Sequence, residues 1–412
     1  MRFTAGNDLR DVAETTTRLS LRLAAVAVIG LGAVASYYSL RWAYADRVLF
    51  SLDFLGAARL EPTNNRYQLR AADQLEDSGR DPSPALWAAL SQYPGESAAW
   101  MRLGLRAELD GKYREAEEYL LRAAEVDHQY APRWTLMNFY FRRNQADKFW
   151  PWARKALIMA YGDFTPIFRL CWELSQDADL IFTRAIPDRD VALSAYLYFL
   201  LAQNRLEAAE PVARKLQRYP DKRPELLAYC DHLLRARQTQ RAVAIWNVAV
   251  RVPLSPEKGE LLPNADFRDE PKSTGFDWRL HPPDGVTIVR QEGPPLVRVA
   301  FSGRQPEVCE ILSRFIPLAP GKAYEFEFEY RTEGVALDTG LHWRLVDSVA
   351  NKDLIRDSPR LSSQEWRRQR LDFTMPAKSD LGRLVLYYQR TLGTTRIEGT
   401  LWLRGVALRM VP

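Results

Sequence analysis

Two periodicities divide the chain. From about residue 45 to 252, large apolar residues return every three or four positions with Ala or Gly between them, the spacing of amphipathic helices. From 264 to 412, apolar and polar residues alternate, the spacing of strands with one buried face. In the helical part, Trp100, Trp134 and Phe168 stand 34 residues apart. From Trp100 the pattern continues through Leu103, Gly104, Ala107, Gly111, Tyr113, Ala116, Leu120, Ala123 and Val126. A repeat of this length, with large and small residues on matching faces, predicts helical hairpins stacked into a solenoid. Gly104, Ala116 and Ala123 mark where paired helices nearly touch, and Trp100, Leu103 and Leu120 fill the space around them.

The second unit keeps Trp134, Met137, Phe141 and Ala156, with Pro151 expected near the start of its second helix, where proline is tolerated. The third keeps Phe168 and then drifts, since Arg184 falls where a small residue is expected. The pattern returns in Leu193, Tyr196, Leu200, Ala209, Ala213 and Leu216, and again in Leu226, Tyr229, Leu233, Ala242, Trp246 and Ala249. This gives about five units, or six if Tyr67 to Leu90 forms an atypical first one. Breaks at Tyr93-Pro94, Ala131-Pro132, Thr165-Pro166 and Tyr219-Pro220 predict helix stops.

After a Pro/Gly/Ser/Glu linker at 253–263, five runs read as strands: Val297–Phe301, Tyr324–Tyr330, Leu341–Leu345, Leu384–Tyr388 and Leu401–Leu408. In the Tyr324 run, aromatics face one side and glutamates the other. About eight short strands with turns such as Pro320-Gly321-Lys322 predict a β-sandwich over 264–412.

The helical unit at Trp100 closely resembles the tetratricopeptide repeat family, whose members bind other proteins. The resemblance implies a concave groove lined by the first helix of each hairpin. Carried over residue by residue, it points to Met101, Leu105, Glu108, Thr135, Phe139, Arg142, Arg143, Arg169 and Glu173, a mixture of apolar groups and arginines suited to a peptide with acidic residues. An ordinary solvated face is the alternative. The β region resembles galactose-binding-like jelly rolls found as carbohydrate-binding modules. The resemblance rests on the order of Asn264-Ala265-Asp266-Phe267, Trp278, Pro320-Gly321-Lys322-Ala323-Tyr324, Trp366, Met375-Pro376 and Gly399-Thr400-Leu401-Trp402-Leu403. It implies glycan binding, with His342, Trp343, Arg344, Trp366, Tyr387, Tyr388 and Gln389 as candidates, against packing roles for each; Trp278 and Trp402 read as core. The structural calcium of such modules would need acidic groups in the opening loop and the last strand. Asp266 stands at the first place, but Arg404 and Gly405 occupy the second, so no metal is expected. For the arginines of Trp366–Arg370, a solvated strand edge is preferred over contact with an acidic glycan or lipid.

Leu23 to Leu40 is uncharged and long enough as a helix to cross about 27 Å. A transmembrane helix is expected over 23–44, with 1–22 cytoplasmic because Arg2, Arg10, Arg18 and Arg22 precede the span, and with Tyr37, Tyr38, Trp42 and Tyr44 at its far boundary. Ala33-Val34-Ala35 also matches a cleavage site, so a removed signal peptide stays open, as does a buried soluble helix. The first two readings put the bulk of the chain outside the cytoplasm, on the periplasmic side of a bacterial-type envelope.

Composition narrows the chemistry. A net charge of +5, spread over both regions, lacks the dense basic face of a nucleic-acid binder. The three cysteines, Cys171, Cys230 and Cys309, read as core thiols, and with four histidines and no Cys-x-x-Cys a zinc site has little to be built from. No phosphate loop, nucleophile elbow or His-Glu-x-x-His motif occurs. The sequence therefore predicts a non-enzymatic, cofactor-free, membrane-anchored scaffold: an all-α tetratricopeptide-like solenoid followed by an all-β jelly-roll sandwich, preceded by one transmembrane helix. Its expected partners are a protein held by the repeats and a glycan held by the β domain, in cell-envelope or exopolysaccharide assembly. The alternatives are a glycan-active enzyme, or a jelly roll that serves only as a structural or docking domain.

Overall fold

The computed structural model describes residues 5–250, 253–355 and 358–411, with side chains from residue 21 onward except that of Glu257. Arg2, expected before the span, and Val252, the expected end of the repeats, lie outside the described residues, as do the side chains of Arg10 and Arg18. The chain forms two compact units, 1–161 and 162–412.

The first unit is helical. Its elements are α1 (Ala5–Phe50), α2 (Phe54–Leu60), α3 (Asn65–Asp77), α4 (Ser83–Gln92), α5 (Ser97–Leu109), α6 (Tyr113–Val126), α7 (Tyr130–Arg142) and α8 (Ala146–Met159). Residues 21–40 of α1 are exposed, and Leu21–Phe50 is long and apolar enough to cross a membrane. An exposed stretch of this kind overturns the buried-soluble-helix reading. The helix does not stop at 44, where the sequence suggests the repeats begin. Ala45 and Leu49 are buried against the helices that follow, the Arg41 guanidinium lies 3.3 Å from Glu61, and Tyr67 Oη donates to Asp46 at 2.6 Å. Helix α1 therefore runs without a break into the first repeat.

The hairpins α3/α4, α5/α6 and α7/α8 stack in order. At Gly104 a Cβ would lie 2.6 Å from Leu120 Cγ and 3.3 Å from the Ala116 carbonyl oxygen, which is why the α5/α6 crossing requires glycine. Trp100 is only half-buried; it joins Trp87 and Tyr119 in a cluster with ring centroids 5.6 to 5.9 Å apart. The prolines act differently from the sequence expectation. Tyr93 does cap α4, but Pro132 and Pro166 lie in the first turns of helices and Pro220 begins a 3-10 turn, because an N-terminal turn has no use for the missing N–H. Pro151 lies deeper in α8 than expected, in its second turn, where the helix continues without one hydrogen bond.

The second unit continues with α9 (Thr165–Leu174), α10 (Ala178–Arg184), α11 (Asp190–Ala202), α12 (Leu206–Leu216), α13 (Arg223–Arg235) and α14 (Thr239–Ala249). The short α10, ending at Arg184, is the element in which the repeat pattern drifts. Six hairpins thus follow α2, counting the atypical first one.

The sandwich comprises β1 (Arg279–Leu280), β2 (Val286–Glu292), β3 (Pro295–Ser302), β4 (Val308–Pro317), β5 (Ala323–Glu333), β6 (Leu341–Asp347), β7 (Lys352–Asp353), β8 (Arg367–Thr374), β9 (Leu381–Gln389) and β10 (Glu398–Met410). Two antiparallel sheets result, ordered β1-β4-β9-β6-β7 and β2-β3-β10-β5-β8. Tyr324, Phe326, Phe328 and Tyr330 of β5 point inward with Trp278, Trp343 and Tyr388. Glu325, Glu327 and Glu329 point outward, as alternation requires.

The linker at 253–263 is pinned. Asn247 exchanges hydrogen bonds with the backbone of Leu254, and Leu254 and Leu261 are buried. The last hairpin packs against one end of the first sheet. The Asp231 carboxylate accepts from Gly275 N at 2.8 Å and Arg279 Nη2 at 2.5 Å, Thr239 Oγ1 donates to Asp380 at 2.7 Å, Arg237 donates to the Val349 carbonyl, and Trp246 meets Phe276 edge to face.

Gly104→Leu should overpack the α5/α6 crossing and cost about 1 to 3 kcal/mol, seen as a lower melting temperature of the full chain in detergent. Asp231→Ala leaves Arg279 and the Gly275 N–H unpaired at a half-buried junction. We expect a loss of about 1 to 3 kcal/mol and faster amide exchange around Gly275, with the exchange of α5 and α6 unchanged.

Candidate functional site

The groove positions fall in both units. In the first, Met101, Leu105 and Glu108 lie on α5, Thr135, Phe139 and Arg142 on α7, and Arg143 just after it. Leu105 is exposed, while Met101 and Thr135 are half-buried with Thr135 Oγ1 3.6 Å from Met101 Sδ. Phe139 is buried, in an edge contact with Tyr140, so it belongs to the core and not to an open groove; its place on the helix turns it between hairpins. Arg142 forms a two-point ion pair with Glu108 at 2.6 and 2.8 Å, which raises the guanidinium's pKa mainly through that hydrogen bonding. Arg143 lies over the Tyr113 ring at 3.6 Å.

On the neighbouring pair of helices, Arg102 reaches Asp73 and Glu76 of α3 at 2.8 and 2.9 Å. Successive first helices are thus cross-linked by their own charges, and an acidic peptide would have to compete with Glu108 for Arg142. In the second unit, Arg169 and Glu173 are exposed on α9.

In the sandwich, β6 and β9 sort the glycan candidates by parity. Leu341, Trp343 and Leu345 face inward, as do Leu384, Leu386 and Tyr388. Trp343 and Tyr388 are completely buried and cannot stack on a sugar; Trp343 packs on Phe326, Phe328 and Trp278. His342, Arg344 and Tyr387 emerge on the outer face of the first sheet, with Gln389 exposed at the end of β9. Register places Glu310, Tyr387 and His342 side by side across β4, β9 and β6. His342 meets Tyr387 edge to face at 5.6 Å, and the Arg344 guanidinium lies 4.8 Å from the Tyr387 centroid.

Four further residues complete the face. Asp353 accepts from Arg344 at 3.0 and 3.1 Å, Arg383 donates to Glu310 at 3.0 Å, and Arg360 contacts His342 Nδ1. That nitrogen also faces the Gly340 carbonyl oxygen at 2.9 Å, so a neutral ring can serve one partner through it at a time. Asp353, Glu310, Arg383 and Arg360 carry no motif; only the alternation of Glu310 with its neighbours hints at a surface position. Of this face, His342, Tyr387 and Gln389 lie toward the strand ends formed by Val308, Leu341 and Gln389, away from the end at Pro317, Asp347 and Leu381 that the last helices occupy.

The seventh glycan candidate, Trp366, is elsewhere. It precedes β8, at the edge of the second sheet, with Arg404 4.0 Å from its ring. Arg368 and Arg370 pair there with Glu329 and Glu327 at 2.7 and 2.8 Å, and hydrogen bonds from Arg368 and Arg404 hold the Glu329 carboxyl below its ordinary range. Those arginines are therefore neutralised on a strand edge. Asp266 lies 2.7 Å from Arg268, and Arg404 lies 2.9 Å from Glu329.

Burial raises the thiol pKa of Cys171, Cys230 and Cys309; Cys309 is half-buried where the first two are fully enclosed.

No family model and no curated protein matches this sequence. Solved structures do resemble parts of it. The C-terminal part of a tetratricopeptide-repeat protein from Cytophaga hutchinsonii is 13% identical over 50% of this chain and 93% of its own, with a TM-score of 0.29. A CBM4 structure is 14% identical over 36% of this chain and 99% of its own, with a TM-score of 0.28. The CBM22-1 xylan-binding domain from Paenibacillus barcinonensis Xyn10C is 11% identical over 37% of this chain and 96% of its own, with a TM-score of 0.25.

Burial, foremost, lowers the pKa of His232, His281 and His342 below 6.5. The unfolded chain then binds more protons than the folded one once the pH drops through 6.5. Their contribution to stability is fully present above that value and is lost as the pH falls toward the folded-state pKa values. Denaturant midpoints should therefore decline from pH 7.5 to 5.5, and His342→Gln should flatten that decline.

Proposed function

We propose that this chain is a non-enzymatic, single-pass membrane scaffold whose helical repeats hold a protein partner and whose β-sandwich meets a glycan. The reading places both modules outside the cytoplasm, in the assembly of a cell envelope or exopolysaccharide. The observation that carries it is the half-exposed row of Tyr387, His342 and Arg344 on the first sheet, left open while the helices occupy the opposite strand ends. One ring flanked by hydrogen-bonding groups suits a sugar: the ring face covers apolar C–H surface, and the flanking groups hold hydroxyls.

A binding role is favoured over glycan cleavage because the carboxylates on this face are committed. Glu310 is paired with Arg383, and Asp353 with Arg344. A glycosidase needs one carboxyl kept protonated and a second one free. The apolar span fused to the repeats supports anchorage, and the paired charges along α3, α5 and α7 favour a partner recognised by shape and apolar contact at Leu105 over one recognised by acidity alone.

A second reading, in which the sandwich is a structural cap on the repeats, draws on the Asp231 junction with Gly275 and Arg279. The two readings separate on a glycan array probed with the full-length protein in detergent. Binding that Tyr387→Ala weakens about tenfold, roughly 1.4 kcal/mol, with an unchanged melting temperature, would establish the glycan face. The absence of any glycan signal would leave the cap.

A further inference from the structure

The outer face of the second sheet carries a feature that the functional proposal does not use. Trp402 of β10 reads as core in the sequence, yet Leu401 and Leu403 take the inward positions and Trp402 emerges between two arginines. Register sets it directly opposite Arg298 of β3 on one side and Arg331 of β5 on the other. The Arg331 guanidinium lies 4.3 Å from the Trp402 ring centroid. On the far side of β5, Tyr330 pairs with Arg367, so Trp366 stands one position beyond Arg367, where it follows Arg331 across the sheet. Arg404 lies 4.0 Å from the Trp366 centroid. The row therefore reads Arg298, Trp402, Arg331, an alternation of guanidinium and indole across three strands, with Trp366 beside it just before β8.

The charges on this row differ from those beside it. One step away, Arg368, Arg370 and Arg404 are matched by Glu327 and Glu329. Among the described residues, no carboxylate lies within ion-pair distance of Arg298 or Arg331. Arg331 Nε is buried without a hydrogen-bond partner, while Arg298 is exposed. An indole face beside a guanidinium does not neutralise its charge, so an arginine so placed can still meet a carboxylate or sulfate.

From this we propose that the outer face of the second sheet is a binding surface for an acidic polysaccharide, distinct from the Tyr387 face. Three features select that occupant. Arg298 and Arg331 flank Trp402 without a carboxylate partner among the described residues, so recognition there runs through charge. Arg298 and Arg331 sit two strands apart, about 10 Å at the usual strand spacing, which matches a linear polymer with recurring acidic groups better than a small anion. Arg298, Trp402 and Arg331 form a straight row across three adjacent strands, suited to an extended chain.

The test uses the full-length protein in detergent and three probes: alginate, an uncharged dextran of similar length, and phosphatidylglycerol vesicles. Alginate should bind with an affinity that falls as salt is raised, and dextran should not bind at this face. Arg298→Gln, an exposed substitution, should weaken alginate binding about tenfold at an unchanged melting temperature, and Arg298→Gln with Arg331→Gln should weaken it further. Tyr387→Ala should leave alginate binding intact, which separates this surface from the glycan face proposed above. Alginate binding that is absent, insensitive to both arginine variants, or equalled by dextran overturns the proposal. Arginine-dependent binding to the vesicles without binding to alginate overturns it too, in favour of a lipid-facing surface.

Discussion

One carboxylate decides where the helical architecture ends. A stack of hairpins exposes an apolar end wherever it stops, and such an end has to be covered. Here Asp231 on α13 takes the Gly275 N–H and the Arg279 guanidinium, while Trp246 on α14 closes over Gly275 and Phe276. A Cβ at Gly275 would lie 2.4 Å from the Trp246 ring, so that closure also depends on a glycine in the left-handed region. The loop that opens the sandwich thus serves as the lid of the last repeat. The strand ends at the opposite side of the first sheet stay clear, which is where His342, Tyr387 and Gln389 emerge.

Much of this is legible in the sequence. The 34-residue spacing locates the hairpins, and the glycine at 104 locates a crossing, because a close approach of two helices leaves a small residue as its trace. The alternation in β5 gives its inward and outward faces correctly. The candidate site is less legible, and the reason is specific. Aromatic side chains attract attention as ligand platforms, but in a strand parity outranks type: Trp343 shares its face with Leu341 and Leu345, Tyr388 with Leu384 and Leu386, and all of them are core. The same rule, applied to Leu401 and Leu403, turns Trp402 outward. Neither Arg360 nor Asp353 can be found this way, since each reaches the face from a segment without strong periodicity.

The helical groove shows a different limit. The 34-residue period puts Glu108 and Arg142 at equivalent places on neighbouring hairpins but does not show that their side chains close on each other, so the cancellation of their charges is a property of the stack. Proline misleads for a related reason. Its missing N–H bars it from a helix interior in general, yet the same absence makes Pro132 and Pro166 good openers, and sequence spacing alone does not distinguish an opening from a stop.

The unbroken α1 has a mechanical meaning. Most anchored domains hang from their spans by a few flexible residues and tumble freely beneath the bilayer. Here Arg41, Ala45 and Leu49 belong at once to the span's own helix and to the packing of the first repeats. Under the anchored reading proposed above, the helix is an axle and not a tether: a neighbour in the membrane that turns or tilts it would swing the stacked hairpins of the first unit with it, so orientation itself can pass across the lipid boundary.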